Sequence, residues 1–212
     1  MGRFSGYGLF FREFVTNYHT TGAVMPSGPF LARALARYVK QPSTTARRIL
    51  EVGPGTGAVT GSIVNGLGAD DRFDLVELNE RFVGQLRNRF DTDPTFQRVA
   101  ERTRVLHCAI QDLPKSDGYD LIVSGLPLNN FSVELVQEIL DGLTGLLNPG
   151  GTLSFFEYIA IRAVKSVVSG RNERERLRGI GYVTKRLFTK HEIHRDWIWP
   201  NVPPAWVHHI RF

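Results

Sequence analysis

The stretch Ile49-Leu50-Glu51-Val52-Gly53-Pro54-Gly55-Thr56-Gly57 constrains this chain more than any other. An apolar run with strand character breaks there into a glycine-rich turn that opens a helix. Glycines at alternate positions let the main chain turn tightly and let a ligand approach bare backbone, while the helix that follows presents free N–H groups. Such a turn suits a small anionic or zwitterionic ligand. A second apolar run, Asp74-Leu75-Val76-Glu77-Leu78, ends in an acid about 20 residues beyond the last glycine, the spacing of a carboxylate that grips ribose hydroxyls. An ordinary strand-to-helix turn explains the glycines alone but not this acid.

Beyond the loop, strands and helices alternate, which is the sequence form of a doubly wound parallel sheet. Strands are expected near 48–53, 73–78, 104–108, 119–124 and 152–157, and helices near 57–67, 79–90 and 132–147. Asn148-Pro149-Gly150-Gly151 stops the last of these helices. Two strand-like runs near 184–199 and 205–212, separated by the loop from Pro200 to Pro204, close the chain. With 212 residues, 42% of them hydrophobic, the chain suits one α/β domain over 21–212 preceded by an amphipathic helix over 1–20. Its single cysteine, Cys108, excludes an internal disulfide and reads as core packing in a reducing compartment. No apolar run approaches the roughly 18 residues of a membrane span, and Arg12 and Glu13 within the aromatic N-terminal segment argue against a secretory signal.

The form Glu51-Val52-Gly53-Pro54-Gly55-Thr56-Gly57 resembles the S-adenosylmethionine loop of class I methyltransferases. That resemblance implies a Rossmann-like, mostly parallel seven-stranded sheet with an antiparallel C-terminal strand. It also implies that Glu51 lies near the methionine part of the cofactor, with Gly53, Gly55 and Gly57 beneath it and Glu77 on the ribose. Asp112, at the ligand edge after the third strand, would receive the adenine amine, although a helix or turn cap explains it equally well. Ser124, at the end of the fourth strand, completes the cofactor set.

The loop Ser124-Gly125-Leu126-Pro127-Leu128-Asn129-Asn130-Phe131 should lie beside the transferable methyl group. Ribosomal RNA adenine dimethyltransferases, which the N-terminal half also resembles, carry Asn-Leu-Pro-Tyr/Phe here: the amide receives the adenine amine and the ring stacks on the flipped base. Gly125 stands in place of that amide and Leu128 in place of that ring. The Ser-Gly-Leu-Pro-Leu form, together with Gly22-Ala23-Val24-Met25-Pro26-Ser27, instead resembles bacterial phospholipid N-methyltransferases and their ornithine-lipid relatives. By that resemblance Leu126, Pro127, Asn129 and Asn130 face an aminolipid acceptor, phosphatidylethanolamine or ornithine lipid. One or both asparagines could instead cap the helix beginning near Ser132.

A net charge of +5 favours an anionic partner, nucleic acid or an acidic lipid surface, without choosing between them. Phe4, Tyr7, Phe11, Phe14 and Tyr18 recur at three- and four-residue intervals, an aromatic stripe that can enter a membrane interface or fold back on the core. A basic stretch, with Arg162, Lys165, Arg171, Arg174, Arg176, Arg178, Lys185, Arg186 and Lys190, could hold anionic headgroups or simply be a solvated helix face. The expected setting is thus peripheral, on the anionic inner face of the cell membrane in the cytoplasm, with an aminolipid substrate, no nucleic acid and no obligate protein partner.

Methylating an amine requires a neutral nitrogen, so a base must take a proton. Tyr18 and His19, before the glycine loop, and Glu157 and Tyr158, at the ligand end of the fifth strand, are the candidates. The remaining histidines, His107, His191, His194, His208 and His209, have no zinc-ligand spacing, and no metal is expected. The rival functions are RNA adenine N6-dimethylation and a non-catalytic methyltransferase-like lipid- or RNA-binding role.

Overall fold

The computed structural model describes residues 27–114, 118–159 and 171–212. The expectations resting on Phe4, Tyr7, Phe11, Phe14, Tyr18, His19, Arg162 and Lys165 lie outside the described residues.

Strands β1 (Arg48–Val52), β2 (Arg72–Glu77) and β4 (Tyr119–Ser124) are near-continuous apolar runs, because a parallel sheet is covered on both faces. With β3 (Thr103–His107), β5 (Leu147–Tyr158), β6 (Glu192–Ile198) and β7 (Ala205–Arg211) they form one seven-stranded sheet in the order β3-β2-β1-β4-β5-β7-β6. The first five strands are mutually parallel and β7 runs antiparallel to both β5 and β6. Strand order reverses between β1 and β4, which opens a crevice at the carboxyl ends of those strands, where open α/β sheets bind ligands.

Helices α1 (Pro29–Leu35), α2 (Ala58–Val64), α3 (Glu80–Thr92) and α4 (Pro94–Gln97) cover one face, burying Leu31, Leu35, Ile63, Leu86 and Phe96 against Ile49, Leu75 and Val123. On the other face α5 (Val133–Gly145) and α6 (Arg171–His191) bury Val136, Ile139, Leu143 and Ile180 against Leu50, Ile122 and Phe155. Caps fix where helices begin: Asn79 accepts from the Arg81 and Phe82 N–H groups, and Ser132 from that of Leu135. Buried Asp74 ties the lower edge of the sheet together, accepting two hydrogen bonds from Arg104 and one from the Tyr119 hydroxyl at 2.8 Å. Burial followed by this carboxylate raises the Tyr119 pKa.

Two expectations are corrected. The strand-like run at 184–199 is helical through His191, and only Glu192–Ile198 forms strand. Thr184, Phe188 and Thr189 favour strand, but Leu177, Ile180 and Thr184 are buried at helical intervals, and packing against the core on the α5 and α6 side overrides propensity. In addition, β5 begins at Leu147 rather than after Gly151, because Leu147 already pairs with Tyr119; the Pro-Gly-Gly turn becomes an irregularity inside the strand.

Candidate cofactor and acceptor site

The glycine loop is shaped by backbone alone. Gly53, Gly55 and Gly57 have φ of 68°, 56° and 79°, a region that L side chains rarely adopt. A Cβ on Gly53 would stand 2.6 Å from Leu126 Cδ2, whereas one on Gly55 would meet nothing within 4 Å. Gly55 therefore borders open space at the sheet edge, the room a ligand needs.

Glu77 closes around this loop. Its Oε2 accepts from Gly55 N–H at 3.0 Å, and its Oε1 accepts from Leu78 and Asn79 N–H at 2.8 and 2.9 Å. Glu51 lies beneath, completely buried, and neither carboxylate oxygen has a hydrogen-bond partner. Burial pushes its pKa up to about 8; the adjacent Thr60 hydroxyl, short of hydrogen-bond geometry, opposes the rise and the charge of Glu77 adds to it. An orphaned buried acid beside an open glycine cradle fits a ligand that brings a cation, such as the ammonium of the methionine moiety. Asp112 is exposed in a single 3-10 turn (Ile110–Asp112), and one of its oxygens accepts from Ala109 N–H at 3.2 Å. The turn-cap role is therefore present, and a second oxygen remains for a ligand amine.

The loop after β1 is tied to the end of β2, and the loop after β4 to the end of β1. Gly53 N–H donates to Val76 carbonyl at 3.0 Å and Gly125 N–H to Val52 carbonyl at 2.8 Å. A Cβ on Gly125 would lie 2.7 Å from the Gly53 carbonyl oxygen, so this position has no room for a side chain. Buried Ser124 presents its hydroxyl to Leu126 N–H at 3.4 Å. Leu126 packs on Gly53, Pro127 is half-buried, and Leu128 is buried in the core rather than presented to the crevice. Asn129, also buried, donates from Nδ2 to the Tyr158 carbonyl at 3.1 Å and leaves its Oδ1 without a partner, while Asn130 is half-buried beside it. Arg176 of α6, a residue that the sequence offers only as one of a basic run, donates to the Asn129 and Phe131 carbonyls and pins the loop after β4.

Glu157 and Tyr158 lie on opposite faces of the sheet. Consecutive strand residues point to opposite faces. Tyr158 packs with Phe156 on the α1 side, where burial raises its pKa. Glu157 lies near His208 on the α6 side, with 3.9 Å between its Oε2 and Nε2. His208, for which the sequence carries no signal beyond the absence of zinc-ligand spacing, stacks on Phe188 at 4.0 Å and places Nδ1 2.6 Å from Glu192 Oε1. Burial alone would raise the Glu192 pKa, but Arg195 and His208 hold it below the usual value. Among the described residues no cluster suited to a metal ion occurs.

Residues 49–151 match the family model described as a methyltransferase domain. Among curated proteins, the ornithine lipid N-methyltransferase of Singulisphaera acidiphila is 31% identical over 146 residues, covering 69% of this chain and 74% of that one. The tRNA1(Val) (adenine(37)-N6)-methyltransferase of Aeromonas hydrophila is 33% identical over 127 residues, 60% of this chain and 49% of that one. Among solved structures, the O-methyltransferase TomG of Streptomyces achromogenes, in complex with S-adenosylmethionine, superposes with a TM-score of 0.61 at 15% identity, over 96% of this chain and 89% of that one. With the sheet order, the glycine cradle and the acid that closes it, these relationships make the chain a member of the class I methyltransferases, with S-adenosylmethionine as its cofactor.

Proposed function

We propose that this methyltransferase N-methylates the amine headgroup of a membrane lipid, phosphatidylethanolamine or ornithine lipid. The observation that carries this reading is the acceptor loop: Gly125 has no room for a side chain and Leu128 is buried. Neither an amide to receive an adenine amine nor a ring to stack on a flipped base is available there. The similarity to an ornithine lipid N-methyltransferase supports the same acceptor class.

An ammonium has no lone pair, so a proton must leave nitrogen first. Glu157 is the base best placed to take it: the residue is buried at the carboxyl end of β5, and His208 links it towards Glu192 and Arg195. The N–H bond breaks towards the Glu157 carboxylate, and the freed pair forms the new N–C bond. S-adenosylmethionine, when bound, would supply a methyl group on its sulfonium, whose C–S bond breaks as the N–C bond forms, the electron pair staying on sulfur in the neutral thioether that leaves. Glu51, Glu77 and the glycine cradle fix the donor, and Asn129, pinned by Arg176, shapes the acceptor side; alignment of the two is the protein's main contribution to rate.

The test offers methyl-labelled donor with vesicles containing phosphatidylethanolamine or ornithine lipid, and separately with tRNA and ribosomal RNA. Label in the chloroform-soluble fraction is expected. Label in RNA and none in lipid would overturn the acceptor assignment while leaving the donor site intact.

A further inference from the structure

Strand β6 forms one edge of the sheet, and large apolar side chains stand exposed around its carboxyl end. Trp197 is 51% exposed, Trp199 just beyond the strand 62%, and Phe30 at the start of α1 49%. Trp197 packs on Trp199 at 4.7 Å and on Trp206 of β7 at 5.0 Å, so every tryptophan of the chain belongs to one stack. Alongside runs an open cleft between α1 and β6, lined by Phe30, Arg33, Arg37, Lys40 and Trp197. Asp196 engages Arg37, whereas Arg33 and Lys40 have no carboxylate partner among the described residues.

We infer that this edge docks on an anionic lipid surface. Tryptophan is the residue that settles at the headgroup level of a bilayer, with its ring in the apolar boundary and its N–H in the wet layer. Uncompensated cations beside it are what an anionic leaflet attracts. The position also matches the chemistry. Tyr158 pairs with Ala205, and Ala205 pairs with Ile198, so one row of the sheet joins the acceptor end of β5 to the segment bearing Trp197 and Trp199. Two strand spacings, about 10 Å, separate them. Because β6 runs parallel to β5, Trp199 lies towards the rim that carries the glycine loop and Glu157. Docking there brings a headgroup to the methyl-transfer rim without lifting the lipid far from its bilayer. The aminolipid acceptor rests on the proposed function; the docking itself does not.

Because all three tryptophans lie in this stack, intrinsic fluorescence reports on it directly. The full chain is titrated with phosphatidylglycerol/phosphatidylcholine vesicles, with phosphatidylcholine vesicles and with a single-stranded RNA oligonucleotide. A blue shift on the anionic vesicles only, quenched when acyl chains carry bromine near the headgroup, is expected. Replacing Trp197 and Trp199 by Ser should remove most of the binding, and Arg33→Gln with Lys40→Gln should weaken it by about thirtyfold, a factor of about five per cation. Donor affinity, measured in parallel, should not change, which shows that the variants are folded. Vesicle binding with no shift, equal binding by the variants, no vesicle binding at all, or a shift with RNA alone would each overturn the docking surface. Methylation of a detergent-dispersed aminolipid, scored separately, tells failure of the docking surface from failure of the acceptor assignment.

Discussion

Gly55 and Glu77 hold each other: the backbone N–H of the loop's central glycine donates to Glu77 Oε2 at 3.0 Å. The carboxylate proposed to hold the ribose thus also sets the shape of the glycine loop. Its other oxygen accepts from Leu78 and Asn79 and fixes the entry to α3.

Replacing Glu77 by Ala should therefore have two effects. Donor affinity should fall at least tenfold, and unfolding should shift down by about 1–3 kcal/mol as three backbone N–H groups lose a charged acceptor. Calorimetric titration with S-adenosylmethionine and denaturant unfolding measure them separately. An unchanged Kd in the folded variant would place the ribose elsewhere.

Glu51 should make donor binding depend on pH. Its pKa of about 8 leaves it largely protonated near neutrality, so pairing with a cationic donor group requires loss of a proton. The Kd for S-adenosylmethionine should fall with rising pH, by up to about tenfold per unit between pH 6 and 7.5. In Glu51→Gln the slope should vanish. Stability of the donor-free protein should move the opposite way. The folded pKa lies above the unfolded one, so this residue's contribution is fully present below about pH 4.5 and is lost as pH rises through about 8. Thermal melts across this range, with and without Glu51→Gln, provide the check.

Gly125→Asn, which restores the amide of the adenine-methylating loop, should not create RNA activity. The new Cβ would stand 2.7 Å from the Gly53 carbonyl oxygen and force the two loops apart. Overpacking of this kind costs about 1–3 kcal/mol. A lower melting temperature together with weaker donor binding is the expected pair of results, and wild-type behaviour in both would remove the steric argument.

Glu157→Gln should lower kcat by about 100-fold or more, the scale of general-base catalysis, with donor affinity unchanged. The pH–rate profile should lose its acidic limb. Retained activity with the same profile would move the base to another group, such as Tyr18 or His19.

The cofactor half of the site is legible in the sequence because its determinants are local. Positive φ demands glycine at 53, 55 and 57, and the acid of β2 sits at the end of an apolar run. The acceptor half is less legible because long-range contacts define it. Nothing near Arg176 in sequence says that it donates to the Asn129 and Phe131 carbonyls, 47 and 45 positions away. His208 gains meaning only when β7 pairs with β5 and brings it to Glu157. The α6 segment misleads because Thr184, Phe188 and Thr189 favour strand, and only the core on the α5 and α6 side shows why it is helical. The opposed faces of Glu157 and Tyr158, by contrast, follow from strand geometry once both are placed on one strand.

Asn201, in the turn between β6 and β7, accepts from Gly28 N–H and donates to the Pro203 carbonyl, so the first described residues are fastened to the same rim as the methyl-transfer chemistry. Phe212 is fastened at the other end of the sheet, through Gly150 and Gly151. Gly28 and Phe212 thus stand at opposite rims of the sheet. For anyone handling the protein this sets a polarity: a fluorophore attached at Phe212 stands clear of the crevice, whereas one attached at Ser27 is held beside it and would report on, or obstruct, arrival of the acceptor.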